Sequence, residues 1–333
     1  MQNQDKAARG HNGSPRRIAA ASGHAKVRIE GIVPVMITPF DESGSIDFTS
    51  VRRLTDWYLA HGADALFAVC QSSEMQFLSL DERVALARAV IDHVDGRVPV
   101  IVSGHVGETP EEQLEELQAM AGTGANALVL VSNRLDPHQG GTEAFKNNLD
   151  RLLDRLPSEL PLGLYECPAP YRRLLSDDEL LWVNDTNRFV VLKDVCCDLT
   201  TIKRRLNLIG NGPMAIINAN AAIAADAIRS GSRGFCGVFA NFHPDLYAWM
   251  YRNQNTHKDL AAELSVFLAL SATAESMGYP ALAKAYHRRL GTVDTIKCRV
   301  MKDGAFEKIW AVDAILDKIV EGTEFYRKKI AGA

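Results

Sequence analysis

Short apolar runs alternate with longer amphipathic stretches along most of the chain, from Gly31 to residue 255. The runs are continuous rather than alternating, which is typical of strands covered on both faces of a sheet. Each run precedes a stretch with helical periodicity, so the pattern predicts repeated β-α units. The eight runs are "GIVPVMI" at 31, "ADALFAV" at 63, "VPVIVS" at 98, "NALVLV" at 126, "PLGLY" at 161, "FVVLK" at 189, "MAII" at 214 and "GFCGVF" at 234.

Several predicted helices begin with a capping box. In this motif a hydroxyl and a carboxylate three residues apart satisfy backbone N–H groups that the first helical turn leaves free. Such boxes predict where a helix starts after the loop that follows a strand. The pairs are Ser79 with Glu82, Thr109 with Glu112, and Ser176 with Glu179.

Eight β-α units predict a (β/α)8 TIM barrel over residues 31–255. An open, doubly wound sheet is the alternative, but "TPFDESG" follows the first strand where a G-x-G-x-x-G turn would favour that fold. Residues 256–333 contain helical patterns only and predict a C-terminal helical appendage. Residues 1–30 are polar and basic without apolar periodicity, which predicts a disordered N-terminal tail.

Composition narrows the class of protein. The chain has 333 residues, 47% hydrophobic and 23% charged, with a net charge of -4, a balance that argues against nucleic acid as the main partner. No apolar run approaches the roughly 20 residues of a membrane span, and "IAAA" is too short for a secretory core. The six cysteines show no C-x-x-C spacing and are expected to be reduced core thiols. We therefore expect a cytoplasmic protein with a small-molecule partner.

The reactive groups of a TIM barrel lie at the C-terminal ends of its strands, and two strand ends carry notable side chains. "FVVLK" ends in Lys193, and "PLGLY" ends in Tyr165. Side chains alternate along a strand, so Lys193 projects into the barrel if Phe189 and Val191 do. Neighbouring strands lie about 4.8 Å apart, which allows the amine and the phenol to approach. A snorkelling or ion-paired lysine is the alternative.

This pair suits imine chemistry. Desolvation disfavours the ammonium form of a lysine, and a neutral amine can attack a ketone. The resulting iminium stabilises a carbanion on the adjacent carbon, while a phenol can relay protons. Such chemistry needs no metal or organic cofactor. A metal-dependent aldolase is a weaker alternative, because His105, His138 and His243 lack H-x-H or H-E-x-x-H spacing.

Three motifs reveal a family resemblance. The opening "MITPFDESGSID", the "YECP" that begins at Tyr165, and the spacing from that tyrosine to "VLKD" are similar to those of the dihydrodipicolinate synthase/N-acetylneuraminate lyase superfamily. From about Gly31 onward the chain resembles these class I aldolases. The resemblance implies that Lys193 forms the Schiff base and that Tyr165 relays protons. It also implies a homo-oligomer, a dimer or tetramer.

The loop after the second strand departs from the family pattern. Its sequence is "CQSSE", where the family usually has G-T/S-T-G-E. Ser72 takes the place of a substrate-binding threonine, so Gln71, Ser72 and Ser73 are expected to bind the carboxylate of a 2-oxo acid. Cys70 and Ser73 replace both glycines, which predicts a changed backbone. Ordinary loop capping is the alternative for the serines.

Two further departures concern the substrate. Pro170 stands where the synthases' aspartate-semialdehyde-binding arginine would lie, although Arg172 and Arg173 are close. No tyrosine occurs in "VSNRLD", the stretch that would supply a residue to the neighbouring subunit's site. Asn133 or Arg134 is expected to meet a different substrate tail there, with a solvated loop as the alternative. True dihydrodipicolinate synthesis is therefore not expected.

Other strand ends supply candidates for the pocket wall. Asn218 and Phe239 are expected to shape the pocket, with turn formation and core packing as the alternatives. Glu166 replaces the family's usual asparagine and is expected to pair with Arg172 or Arg173, or to touch a polar substrate. The sequence thus predicts a Schiff-base-forming lyase that acts on pyruvate or another 2-oxo acid. A sugar-acid dehydratase using the same imine and a non-catalytic organic-acid-binding barrel remain the alternatives.

Overall fold

Eight parallel strands form the centre of the fold in the computed structural model, which describes residues 27–333. Residues 1–26 of the predicted tail lie outside that range. The strands follow the order β1-β8-β7-β6-β5-β4-β3-β2. They are β1 Gly31–Ile32, β2 Leu66–Val69, β3 Val100–Val102, β4 Ala127–Val131, β5 Leu162–Tyr165, β6 Phe189–Asp194, β7 Ala215–Asn218 and β8 Gly234–Phe235.

The two ends of this sheet meet and close the barrel. Val35 forms a parallel bridge with Phe67 of β2, and the Met36 N–H donates to the Phe67 carbonyl at 3.0 Å. Pro34 interrupts the first apolar run, because it has no N–H to donate, and β1 is correspondingly short. The predicted (β/α)8 TIM barrel is therefore confirmed.

Helices follow the strands as the periodicity predicts, and all three predicted capping boxes are present. They are α1 Phe48–Ala60, α2 Leu80–Val94, α3 Pro110–Ala121, α4 Thr142–Leu153, α5 Asp177–Asp185, α6 Leu199–Ile209, α7 Ala224–Arg229 and α8 Pro244–Asn253. The strand side chains are buried on both faces almost throughout, as continuous apolar runs require.

Three helices make up the C-terminal region: α9 Lys258–Ser271, α10 Ala281–Arg289 and α11 Val312–Ala331. Among residues 27–333 we find no single helix with both the length and the apolar character of a membrane span. By those two criteria Lys258–Ser276 and α10 qualify only as a pair, and the pair is bent by 117°.

The C-terminal region is joined to the barrel by a buried ion pair. Lys284 of α10 places its Nζ 2.6 Å from Oε1 of Glu74, and both side chains are buried. Glu74 follows β2 and has a left-handed backbone, with φ of 59°. Its other oxygen accepts the N–H groups of Arg299 and Val300, at 2.5 and 2.8 Å. The loop after β2 is thus held from the C-terminal side.

We expect Lys284→Met to lower the free energy of unfolding by about 3 to 5 kcal/mol, because it leaves a buried carboxylate without its cation. Denaturant titration measures the change. Lys318→Met is the matched control, since Lys318 forms an exposed pair with Glu321 and should change stability by less than about 1 kcal/mol. Equal effects of the two substitutions would contradict this role of the buried pair.

Candidate active site

Lys193 and Tyr165 face each other across neighbouring strands. The two residues are in register between β5 and β6, and Lys193 Nζ lies 4.1 Å from the centre of the Tyr165 ring. It also lies 5.6 Å from the Phe67 ring centre, so the amine lies beside two aromatic rings. Lys193 is 7% exposed. The structure places both side chains inside the barrel, at the ends of their strands.

The two residues lie in a cavity of about 700 Å³ at the C-terminal mouth of the barrel. The cavity brings together six of the sequence-predicted site residues: Gln71, Ser72, Arg134, Tyr165, Lys193 and Phe239. Ser73 and Asn218 are not among the lining residues. The Ser73 hydroxyl bonds the N–H and the carbonyl of Cys70, at 2.7 and 2.6 Å. The Asn218 side chain bonds the backbone of Asn220 in a similar way.

The loop after β2 forms a short 3-10 turn, Gln71–Ser73, that directs two side chains at the cavity. Gln71 Oε1 accepts a hydrogen bond from the Tyr165 hydroxyl at 3.3 Å and one from the Cys167 thiol at 3.2 Å. Burial raises the pKa of Tyr165 well above its usual value. The phenol therefore stays protonated near neutral pH and is oriented by Gln71.

Behind these strands, Arg205 of α6 lies between two buried carboxylates. The Glu166 carboxylate accepts hydrogen bonds from both terminal nitrogens of Arg205, at 3.0 and 2.7 Å. The Asp194 carboxylate accepts a hydrogen bond from one of these nitrogens. Glu166 therefore pairs with Arg205 and not with Arg172 or Arg173, the partners the sequence suggested. Burial alone would lower the pKa of Arg205, but the two carboxylates raise it. The acids that directly follow Tyr165 and Lys193 are thus bound by one guanidinium.

The arginines after the "YECP" motif are bound outside the cavity. Arg173 pairs with Asp136 at 2.8 Å and with Glu179 at 2.7 Å. Arg172 donates to a backbone carbonyl just after β6. Pro170 lines the cavity itself, whereas neither guanidinium does. In this structure, Arg172 and Arg173 do not take the place of the arginine that Pro170 replaces.

Asn133 and Arg134 have different surroundings. The Asn133 amide is buried, and its Nδ2 lies 2.8, 3.0 and 2.7 Å from three carbonyl oxygens of the loop after β5, those of Cys167, Ala169 and Tyr171, which share its two protons. Asn133 therefore holds that loop. Arg134 lines the cavity, and its guanidinium lies 3.7 Å from the exposed carboxylate of Glu108.

Two of the three histidines considered for a metal site are buried and form hydrogen bonds inside the protein. His105 bonds Gln113 at 3.0 Å and His243 bonds Thr323 at 3.2 Å, both inside the protein. Burial lowers the pKa of His105 to about 4 and that of His243 to about 3. His138 is exposed. Within residues 27–333 no group of three or more His, Cys, Asp or Glu side chains is arranged to hold a metal ion.

Among the cavity residues that the sequence did not predict, Tyr279 and Glu275 come from the segment between α9 and α10. Tyr279 places its hydroxyl 3.1 Å from Asn241 Nδ2. Glu275 lies at the exposed mouth, where partial burial raises the pKa of its carboxyl and the Lys193 charge opposes that rise. The helical pattern ends at Gly278 without a catalytic motif. Only the "GYP" break indicated that the chain turns there.

Comparisons with known proteins show both the class of enzyme and the family to which the chain belongs. The profile of the dihydrodipicolinate synthetase family matches residues 28–301. The 4-hydroxy-tetrahydrodipicolinate synthase of Azoarcus sp. (strain BH72) is 30% identical over 65% of this chain and 72% of its own length. The chain therefore belongs to the dihydrodipicolinate synthetase family of class I aldolases and lyases, which confirms the resemblance found in the sequence.

Solved structures share the fold. The chloride-inhibited dihydrodipicolinate synthase of Acinetobacter baumannii, complexed with pyruvate, has a TM-score of 0.77 at 22% identity, covering 89% of this chain and 99% of its own. YagE of E. coli K12, a prophage protein of the dihydrodipicolinic acid synthase family also in complex with pyruvate, has a TM-score of 0.77 at 20% identity. That match covers 89% of this chain and 98% of YagE.

We expect Glu166→Gln to lower the free energy of unfolding by about 1 to 3 kcal/mol. Glu166 accepts hydrogen bonds from the N–H groups of Leu175 and Val195 as well as from Arg205. The NH2 group of a glutamine would point at one of these donors and could not accept its hydrogen bond. Denaturant titration measures the loss. The control is Glu115→Gln on the exposed surface of α3, which should leave stability unchanged; a Glu166→Gln variant as stable as this control would refute the argument.

Proposed function

We propose that the protein is a Schiff-base-forming lyase that acts on pyruvate or another 2-oxo acid, with Lys193 as the nucleophile. The observation that carries this proposal is the position of Lys193, buried against the Tyr165 ring at the base of the cavity. No acidic side chain of residues 27–333 forms an ion pair with this amine, since neighbouring Asp194 and Glu74 bind Arg205 and Lys284. An amine in that setting is suited to attack a carbonyl.

The proposed reaction runs through an imine. The neutral amine of Lys193 adds to the keto carbon, and the carbinolamine loses water to leave a C=N bond to Nζ. Tyr165 gives a proton to the departing hydroxyl, in keeping with its protonated phenol. In the cleavage direction, a bond at the carbon adjacent to the protonated imine breaks, and the imine accepts its electron pair to become an enamine. In the opposite direction, the enamine supplies the electron pair that forms this bond. The imine serves as the electron sink, so these steps require no separate cofactor.

The carboxylate of the 2-oxo acid is assigned to the loop after β2. Ser72 is buried but lines the cavity, and Gln71 lies beside it. A hydroxyl donates well to a carboxylate, and a hydrogen bond to a charged group is among the stronger ones in proteins. The pyruvate complexes of the Acinetobacter baumannii and E. coli proteins support a 2-oxo acid as the ligand.

We propose that the end of the substrate farther from Lys193 differs from that of the substrate of the synthases. Pro170 lines the cavity in place of the semialdehyde-binding arginine, and Arg172 and Arg173 are bound elsewhere. Glu275 adds a carboxylate at the mouth, which would repel a second carboxylate on the substrate. We therefore propose that true dihydrodipicolinate synthesis is not the main activity.

Dehydration of a sugar acid through the same imine is the alternative reaction, and product analysis separates it from aldol cleavage. A non-catalytic organic-acid-binding barrel is the other alternative. It would show ligand-induced stabilisation that persists in Lys193→Ala, without turnover in the wild type. A homo-oligomer and a cytoplasmic location remain predictions from the sequence.

We expect borohydride with pyruvate to add a reduced pyruvyl group to Lys193, because borohydride reduces an imine to a stable amine. Peptide mass spectrometry locates the adduct. Lys193→Ala should abolish it, whereas Lys203→Ala should not, since Lys203 is exposed on α6. A wild-type protein that stays unmodified across a range of 2-oxo acids would refute the Schiff-base proposal.

We expect Tyr165→Phe to slow turnover by about 10² to 10⁴, the usual contribution of a positioned proton-transfer group. Steady-state kinetics with a substrate found by the trapping experiment measure the loss. Lys193 should still be trapped by pyruvate in this variant, though more slowly. Unchanged turnover in Tyr165→Phe would assign proton transfer to another group.

A further inference from the structure

The cavity is much larger than the pyruvate that it is proposed to bind. Its volume of about 700 Å³ lies within the roughly 300 to 1,000 Å³ of sites that enclose a drug-sized ligand. Pyruvate is a short molecule, and its two polar ends are already assigned to Ser72 and Lys193. Most of the cavity therefore remains for a second substrate, or for the tail of a longer 2-oxo acid.

Exposed apolar side chains form part of the cavity wall. Phe77 and Val300 are 48% and 44% exposed, although both line the cavity. Arg299 holds their backbones near each other, because its Nη1 donates to the Phe77 carbonyl at 2.9 Å and Val300 directly follows it. Pro168 and Pro170 line the cavity and are exposed as well. Apolar surface of this kind is typical of a ligand-binding groove.

Hydrogen bonds hold the backbone that carries these residues. The Nδ2 of Asn133 lies 2.8 and 3.0 Å from the carbonyl oxygens of Cys167 and Ala169, which flank Pro168. The Val300 N–H donates to the buried carboxylate of Glu74 at 2.8 Å. The apolar wall is thus held in place before a ligand binds, which reduces the entropy lost on binding.

Further small apolar side chains continue this wall. They come from the segment after β7 and from the end of α9, and an alanine side chain has neither a hydrogen-bond donor nor an acceptor. The alanines that line the cavity are Ala219, Ala221, Ala222, Ala269 and Ala272.

Two polar side chains of the wall are bonded within the protein. The Oδ1 of Asn220 accepts the N–H groups of Ala222 and Ile223, at 2.9 and 3.3 Å. The Thr273 hydroxyl donates to the Leu270 carbonyl at 2.6 Å. These groups serve the turns on which they lie, so they are poorly placed to pair with the hydroxyls of a substrate.

The charged groups of the wall do not favour an anionic tail either. Glu74 is bonded inside the protein, and Arg134 lies 3.7 Å from the carboxylate of Glu108. Glu275 forms no ion pair within residues 27–333, and its carboxylate lies at the exposed mouth. A second carboxylate on the substrate would be repelled there.

A hydrocarbon tail suits this wall better than a polyhydroxylated one. A buried hydroxyl loses its hydrogen bonds to water and must regain them from the protein. A hydrocarbon loses none, and it removes both its own surface and that of Phe77 and Val300 from water.

We propose that the second substrate is an apolar aldehyde, so that the enzyme forms or cleaves a 4-hydroxy-2-oxo acid with a hydrocarbon tail. The inference rests on the proposed function and names the substrate class of the same site. It favours the aldolase reaction over the dehydration of a sugar acid, because a sugar acid carries hydroxyls along its whole chain.

In the direction of synthesis, pyruvate condenses with the Lys193 amine and water leaves. The methyl carbon then loses a proton, which gives the enamine. This carbon attacks the carbon of the aldehyde and one C–C bond forms, while the aldehyde oxygen takes up a proton and becomes a hydroxyl. Water finally hydrolyses the imine, which releases the 4-hydroxy-2-oxo acid and the free amine. The sequence of steps requires no oxidant or reductant.

The test measures aldol addition of pyruvate to three aldehydes, with mass spectrometry of the products. Isovaleraldehyde is apolar, glyceraldehyde has the same number of non-hydrogen atoms but carries hydroxyls, and succinic semialdehyde carries a carboxylate. We expect kcat/KM for isovaleraldehyde to exceed that for each of the others by about tenfold or more, the discrimination usual for an apolar pocket.

Variants of Phe77 test whether the wall causes this preference. Phe77→Gln should lower kcat/KM for isovaleraldehyde about tenfold and leave that for glyceraldehyde nearly unchanged. Phe77→Leu should restore most of the loss. Phe325→Gln is the matched control, since Phe325 is 56% exposed on α11 and does not line this cavity. Thermal unfolding of each variant verifies that the fold is retained.

Borohydride trapping of pyruvate separates failure of the inference from failure of the proposed function. Trapping at Lys193 should be the same in wild type and Phe77→Gln, because pyruvate does not reach the apolar wall. If pyruvate is trapped but glyceraldehyde or succinic semialdehyde is the better substrate, or no aldehyde reacts, or Phe77→Gln lowers the rates for all aldehydes equally, the inference is overturned. If wild-type protein forms no adduct with pyruvate, the proposed function is lost, and the inference with it.

Discussion

Burial of charge behind β5 and β6 is the constraint on which the candidate site depends. Because strand side chains alternate, Tyr165 and Lys193 point into the barrel while Glu166 and Asp194 point outward toward α6. Two buried carboxylates would be costly alone, and Arg205 compensates both. The guanidinium therefore joins the ends of the two strands that carry Lys193 and Tyr165, and it binds the two carboxylates that directly follow them.

The second anchor of the site comes from the C-terminal region. The ion pair of Lys284 with Glu74 and the hydrogen bond of Asn241 with Tyr279 both connect parts of the chain far apart in sequence. The first holds the loop that carries Ser72, and the second holds Tyr279 in the cavity wall. The helices after the barrel are consequently part of the cavity and not only a cover for its outer surface.

The sequence predicted the barrel well because strand runs and capping boxes are local signals. The position of Lys193 and Tyr165 in the cavity was predictable for the same reason, since each ends a run at a position where barrels keep reactive groups; their catalytic roles stay a prediction. The partner of Glu166 was not found, because Arg205 lies on the next helix but one, and a helical arginine gives no sign of which carboxylate it meets. Tyr279 was not predicted for a similar reason: it ends no strand and belongs to no motif, and only its hydrogen bond with Asn241 and its place in the cavity wall connect it with the site.

The link between Glu74 and Lys284 has a consequence for biosynthesis. The two residues are 210 positions apart, and a ribosome that adds about 5 to 20 residues each second needs at least ten seconds to connect them. All eight strands are made before Lys284 emerges. During that interval the carboxylate of Glu74 lacks its cation and the cavity lacks the Tyr279 segment, so the cavity can be completed only after Lys284 has been made.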